Sequence, residues 1–357
     1  YADQYGQGNY WLASVADKIY LNAHGTVSWS GLSTTLMFYA RALEKLGVEA
    51  QVVKVGTFKS AVEPYILTGM SEPNRLQMNT MLQDLWGVVT ADVAVGRSLT
   101  VEELNRLADL NMTFQPEEEL VKCGLVDTLV YMQDMKTVLT SLTGTEDYKE
   151  VSHSAMNNLP SSEKYQKDKI AIIYAEGEIT DDSGDGIVGT KMVKTINEVA
   201  EKDNVKAVVL RVNSPGGSAS ASEQIWHALS LLKEKKPLVV SMGDYAASGG
   251  YYISCGANQI YAEPTTLTGS IGIFGMIPDL SELVTQKIGV KFDVVKTNAL
   301  SDMGTMARPM NAEEGQLMQS MVERGYETFT GRVAMGRKMK IEDVKAIAEG
   351  RVWTGEQ

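Results

Sequence analysis

Residues 237–254 read PLVVSMGDYAASGGYYIS. PLVVSMG is a short apolar run with β-branched residues between a proline and a glycine, and it predicts a strand. Ser248 follows at once, flanked by Ala246–Ala247 and Gly249–Gly250, at the opening of a short apolar helix predicted over 249–257. A turn between a strand and a helix lies at the carboxyl edge of a sheet, where open α/β folds bind ligands. Small neighbours leave the hydroxyl within reach of a large substrate. The helix N-terminus offers free N–H groups and a positive dipole end to a developing oxyanion. No histidine lies within 20 residues of Ser248, so a base for this hydroxyl must come from elsewhere in the chain.

Outward from this stretch the pattern alternates. KIAIIYAEG (169–177) and VKAVVLRVN (205–213) read as strands, and TKMVKTINEVAEK (190–202) reads as a helix. Ala221, Ile225, Ala228, Leu229 and Leu232 mark one face of a further helix that Pro237 limits. Near-continuous apolar strands alternating with helices predict a parallel, buried sheet in an α/β fold. RVNSPGGSAS (211–220) joins a strand end to a helix through a proline and two glycines, which lets backbone N–H groups approach a substrate closely. Residues 143–168 are polar and unpatterned and read as a linker.

Bulk composition narrows the field. With 357 residues and 44% hydrophobic content the chain can build two domains. The net charge is −12 and no Lys/Arg-rich block occurs, which argues against nucleic acid as a partner. Cys123 and Cys255 have no metal-site spacing; they read as two free buried thiols, with one bridge as the alternative. No metal or cofactor is implied. No run of 18 apolar residues predicts a membrane span.

The chain also repeats itself. DQYGQGNYWLASVADKIY (3–20) falls on DYAASGGYYISCGANQIY (244–261) with six of 18 positions identical. LGVEAQVVK (46–54) falls on IGVKFDVVK (288–296), and VAVGRSLTVEELNRLA (93–108) on VAMGRKMKIEDVKAIA (333–348). The expected organisation is repeat 1 over 1–142, a linker over 143–168 and repeat 2 over 169–357. If the repeats are equal in length, about 73 residues of repeat 1 lie upstream of Tyr1, and repeat 2 is cut short at its end.

The repeat bears on the chemistry. Ser248 aligns with Gln7, so repeat 1 has no nucleophile there. Repeat 1 instead carries Lys59 within KVGTFKSAVEP (54–64), and the matching position of repeat 2 is Ser301 or Leu300. Each repeat holds one member of a Ser/Lys pair and lacks the other, which makes Lys59 the expected base for Ser248. A solvated lysine has a pKa of about 10.4, leaving about 0.04% neutral at pH 7. Such a base therefore needs burial away from carboxylates.

RVNSPGGSASASE (211–223), SMGDYAASGGYYIS (241–254), LTGSIGIFG (267–275) and VGTFKSAVEP (55–64) together resemble the signal peptide peptidase A (protease IV) family of S49 serine peptidases, in its long tandem-repeat form. The resemblance covers essentially the whole chain. It implies a repeated β–β–α spiral core related to the ClpP/crotonase superfamily. It also implies a membrane-anchored homotetramer at the periplasmic face of the bacterial inner membrane, cleaving hydrophobic signal-peptide remnants, with the anchor in an upstream portion. Carried over by motif, Ser248 is the nucleophile, Lys59 the general base and Ser270 the hydroxyl that orients the lysine. The oxyanion donors are the N–H groups of Gly216 and Gly249.

Two other readings use the same fold. A crotonase-like acyl-CoA hydratase or isomerase would need a glutamate acid/base and would leave Ser248 idle; an inactive scaffold would need none of these motifs. A Ser-His-Asp triad would have to recruit His24, His153 or His227 with Asp244.

Overall fold

The computed structural model describes residues 1–157 and 167–357. The last nine residues of the expected linker but two, 158–166, lie outside the described residues, and the part before them includes a short helix, His153–Asn157, where no pattern was expected. The described residues divide into two compact units, one of residues 1–33 and 82–157 and one of residues 34–81 and 167–357. Residues 34–81, repeat 1 by sequence, thus pack with the unit that carries Ser248.

In the first unit, strands Ala2–Tyr5, Tyr20–Val27 and Thr128–Leu129 form a parallel three-stranded sheet. Its core gathers Tyr10, Leu21, Trp29, Leu104, Leu107 and Leu120. Two of its polar aromatics are satisfied deep in the core: Tyr10 donates to the Leu125 carbonyl at 2.7 Å and Trp29 Nε1 to that of Leu104 at 2.8 Å.

The second unit is built on a sheet in the order Val352–Thr354, Leu267–Gly269, Leu238–Ala247, Val205–Ser214, Lys169–Glu176. All neighbours are parallel except the first pair. Gln259–Tyr261 pairs with the start of Leu238–Ala247, and Leu267–Gly269 with its end. The predicted strands and helices are present, with the larger boundary changes around Ser248. The central strand runs on to Ala247 rather than stopping at Gly243, and the following helix covers only Gly249–Ser254.

The sheet is less buried than its apolar strands suggest. Val208, Leu210 and Val212 are fully buried with Ile225, Leu229 and Leu232 of helix Ala219–Lys235. The alternate residues Val209 and Arg211 are only half-buried, and Ile170, Ile172 and Tyr174 of the edge strand are exposed. A continuous apolar run specifies a strand without saying how many of its faces are covered. A separate antiparallel ribbon pairs Phe274–Asp279 with Glu49–Lys54, bringing repeat-1 sequence against repeat-2 sequence. Helices Glu72–Arg97 and Ala312–Arg337, both of 26 residues, begin at 72 and 312 and end at 97 and 337, an offset of 240 that matches the sequence repeat.

Candidate active site

Ser248 sits where the Leu238–Ala247 strand ends and helix Gly249–Ser254 begins, as its N-cap, with φ 54° and ψ −119°. Positive φ is costly for a residue with a Cβ, and such strain concentrates at functional turns. Its N–H donates to the Gly269 carbonyl at 2.9 Å, which ties the turn to the neighbouring strand. Ser270, next in that chain, also has positive φ, 51°, and its N–H donates to the Arg351 carbonyl at 2.7 Å. Both hydroxyls are thus set by backbone bonds made across adjacent strands.

Lys59 enters from the loop after Glu49–Lys54. Phe58 N–H donates to the Glu349 carbonyl at 2.9 Å, and Thr57 N–H and Oγ1 donate to the Glu349 carboxylate at 2.9 and 3.0 Å. The lysine stem lies against Gly350, where an added Cβ would come within 2.6 Å of Lys59 Cβ. With φ +73°, this position requires glycine on two counts.

The three side chains converge. Lys59 Nζ lies 3.2 Å from Ser248 Oγ, 2.9 Å from Ser270 Oγ and 3.2 Å from the Ser270 carbonyl oxygen. Lys59 is 5% exposed, and no carboxylate pairs with it among the described residues. Burial lowers its pKa from 10.5 to about 8. This arrangement has a chemical consequence. The two acceptors of Ser270 can take both N–H bonds of a neutral amine, leaving its lone pair for the Ser248 O–H.

Of the two glycines, Gly216 directs its N–H to Ser214 Oγ at 3.1 Å, whereas Gly249 opens the helix. Gly216 has φ +102°, and a Cβ on it would fall 2.6 Å from Gly249 N and 2.9 Å from Ser248 Cβ. The SPGG turn is therefore in direct contact with the Ser248 turn, at a distance only glycine permits.

A cavity of about 280 Å³ opens over Ser248 and Lys59, lined also by Gly217, Ser218, Ser222, Tyr252, Ile273, Phe274 and Phe329. Sequence motifs did not point to Tyr252, Ile273, Phe274 or Phe329 as site residues. Among the described residues, no histidine or carboxylate lines this cavity. His24 is largely exposed beside Glu117, and His227 and Asp244 are exposed. His153 belongs to a helix whose side chain there is not among those described. Among the described residues, the triad and crotonase readings thus find neither a histidine nor a glutamate at Ser248. Both cysteines are free thiols, Cys255 buried and Cys123 partly so.

The sequence model of peptidase family S49 matches residues 1–146 and 230–357. The chain belongs to peptidase family S49. The model of the Clp protease family matches residues 162–267, the segment that supplies most of the parallel sheet. Among curated proteins the chain is similar to "Protease 4" of Salmonella typhi, 39% identical over 99% of this chain and 59% of that one. "Protease 4" of Haemophilus influenzae is 36% identical over 99% of this chain and 60% of its own length. "Serine protease SPPA, chloroplastic" of Arabidopsis thaliana is 30% identical over 98% of this chain and 53% of its own. The chain thus spans about three fifths or less of these relatives.

Proposed function

We propose that this member of family S49 is a serine endopeptidase in which Ser248 is the nucleophile and Lys59 the general base. The observation that carries the reading is the buried Nζ of Lys59, 3.2 Å from Ser248 Oγ and hydrogen-bonded to both oxygens of Ser270. Neutral Lys59 takes the Ser248 proton as Oγ attacks the peptide carbonyl. The tetrahedral oxyanion is received by the N–H of Gly249, with that of Gly216 turning to it from Ser214 Oγ. The Lys59 ammonium then protonates the leaving amine, the C–N bond breaks, and an ester on Ser248 remains. A water, deprotonated by the same amine, attacks that ester; the acid product leaves and the proton returns to Ser248. Ser270 orients the lysine throughout.

The apolar wall of Tyr252, Ile273, Phe274 and Phe329 suits hydrophobic peptides, and cleaved signal peptides are the substrate class we assign. The names of the Protease 4 and SPPA relatives agree with peptidase activity. Action at the periplasmic face of the inner membrane follows from the family resemblance alone; among the described residues no helix is long and apolar enough to cross a membrane. Labelling of the chain by a fluorophosphonate, mapped by mass spectrometry, tests the nucleophile: modification of Ser248 supports the reading and a silent Ser248 refutes it.

We further propose a homo-oligomer, a tetramer by family resemblance, closed head to tail. The support is a pair of strands with no match. Glu49–Lys54 pairs with Phe274–Asp279. Their repeat counterparts, Lys291–Lys296 and residues around Thr34–Phe38, form no strand, and Ile288, Phe292, Val294 and Val295 are exposed. Applying the same register between copies would pair Thr34–Phe38 of one with Lys291–Val295 of the next.

A further inference from the structure

A buried amide on helix Glu72–Arg97, outside the lining of the Ser248 cavity, holds the Lys59 loop. Gln77 is 5% exposed. Its Nε2 donates to the Phe58 carbonyl at 3.2 Å and to Ser60 Oγ at 2.8 Å, the residues on either side of Lys59. Its Oε1 accepts from Val352 N–H at 3.3 Å, on the edge strand beside Leu267–Gly269. The residue before Val352, Arg351, supplies the carbonyl that holds Ser270 N–H at 2.7 Å. One side chain therefore links the backbone that carries the base to the backbone that carries the base's orienting hydroxyl.

Gln77 is itself held. Its Nε2 also reaches Asn74 Oδ1 at 3.2 Å, and Asn74 Nδ2 donates to Glu63 Oε2 at 2.8 Å. Ser71 Oγ donates to Glu63 Oε1 at 2.5 Å. Asn74 and Glu63 are both 2% exposed. Burying an amide and a carboxylate is unfavourable unless their bonds are made, and an apolar core would have filled the space at lower cost. What an apolar side chain could not do is fix the register of a loop against a strand. The requirement is real for lysine, whose four-carbon stem is flexible and whose amine has to meet three oxygens at once.

We propose that Gln77 is a positioning residue for Lys59, a role that rests on the Ser248–Lys59 reading above. It acts through the Phe58 and Ser60 contacts and touches neither substrate nor the reacting atoms. Gln77→Met keeps length and approximate volume and removes every one of these bonds. In the full chain, hydrolysis of a hydrophobic peptide should show kcat reduced about 10–100-fold with KM within about two-fold, because displacement of a catalytic group by about 1 Å costs on that scale. The second-order rate of fluorophosphonate labelling at Ser248 should fall with kcat. Ser60→Ala, which deletes one contact of the clamp, should lower kcat about 2–10-fold and decides the matter if Gln77→Met does not fold. Unchanged kcat in a folded Gln77→Met protein, a loss carried by KM, or unchanged kcat in Ser60→Ala where Gln77→Met fails to fold would overturn the proposal. Lys59→Ala, measured alongside, separates the two levels. Activity in Lys59→Ala sinks the dyad itself, whereas an inactive Lys59→Ala beside a fully active Gln77→Met sinks only the role of Gln77.

Discussion

An ammonium group in water keeps its proton to about pH 10.4. Lys59, 5% exposed and without a carboxylate partner among the described residues, is lowered to about 8, so about a tenth of it is neutral at pH 7. The base acts neutral, so kcat/KM should rise with pH through about 8 and level off above it. Persistence of that limb in Lys59→Ala would assign it to another group. Lys59→Arg should be as inactive as Lys59→Ala, because a guanidinium does not deprotonate. Between about 8 and the unfolded lysine value the unfolded chain binds more protons, so stability rises with pH there. Below about 8 the burial of the ammonium costs its full amount, roughly 3 kcal/mol. Lys59→Met should therefore be inactive, and the wild type should gain stability relative to it between pH 7 and 9.5. Denaturant melts at the two pH values measure this, and a difference that does not change with pH would contradict it.

At the scale of elements, strand ends and tight turns set the site. Gly350→Ala would push a Cβ to 2.6 Å from Lys59 Cβ at a φ of +73°. We expect activity to fall about 10²-fold, as a misplaced base requires, and stability to drop by about 1–3 kcal/mol. Retained activity and an unchanged melt in Gly350→Ala would show that the loop is looser than described. These turns were legible because glycine, serine and proline are read locally: ASGG and SPGG each mark a conformation that few residues adopt. The pairing of Glu49–Lys54 with Phe274–Asp279 was not, because two strands more than two hundred positions apart carry no local record of each other. Gln77, a polar residue on a helix, carries no local signal in the sequence, and its burial comes from tertiary packing. Phe329 and Tyr252 carry no motif in the sequence, and only packing brings them to the cavity. The strand Lys169–Glu176 shows the opposite case: its apolar run is plain in sequence, but half of it faces outward.

For the whole molecule, the repeat is plain in sequence while the compact units cut across it, since residues 34–81 join residues 167–357. That exchange is why Lys59 and Ser248, 189 positions apart, stand in one unit. The unmatched counterparts of the ribbon suggest that the exchange continues between copies. Val295, 97% exposed, would then be covered by the next chain. Val295→Lys should lower the mass measured by light scattering toward that of one chain while leaving the fold intact; an unchanged mass would remove this interface. The Ser248–Lys59 pair is tested most directly by the rate of fluorophosphonate labelling at Ser248 against pH, in the wild type and in Lys59→Ala. The account predicts labelling that rises through about pH 8 in the wild type and falls by at least about 10²-fold in folded Lys59→Ala, with no limb left. Equal labelling of the two proteins across that pH range would contradict it.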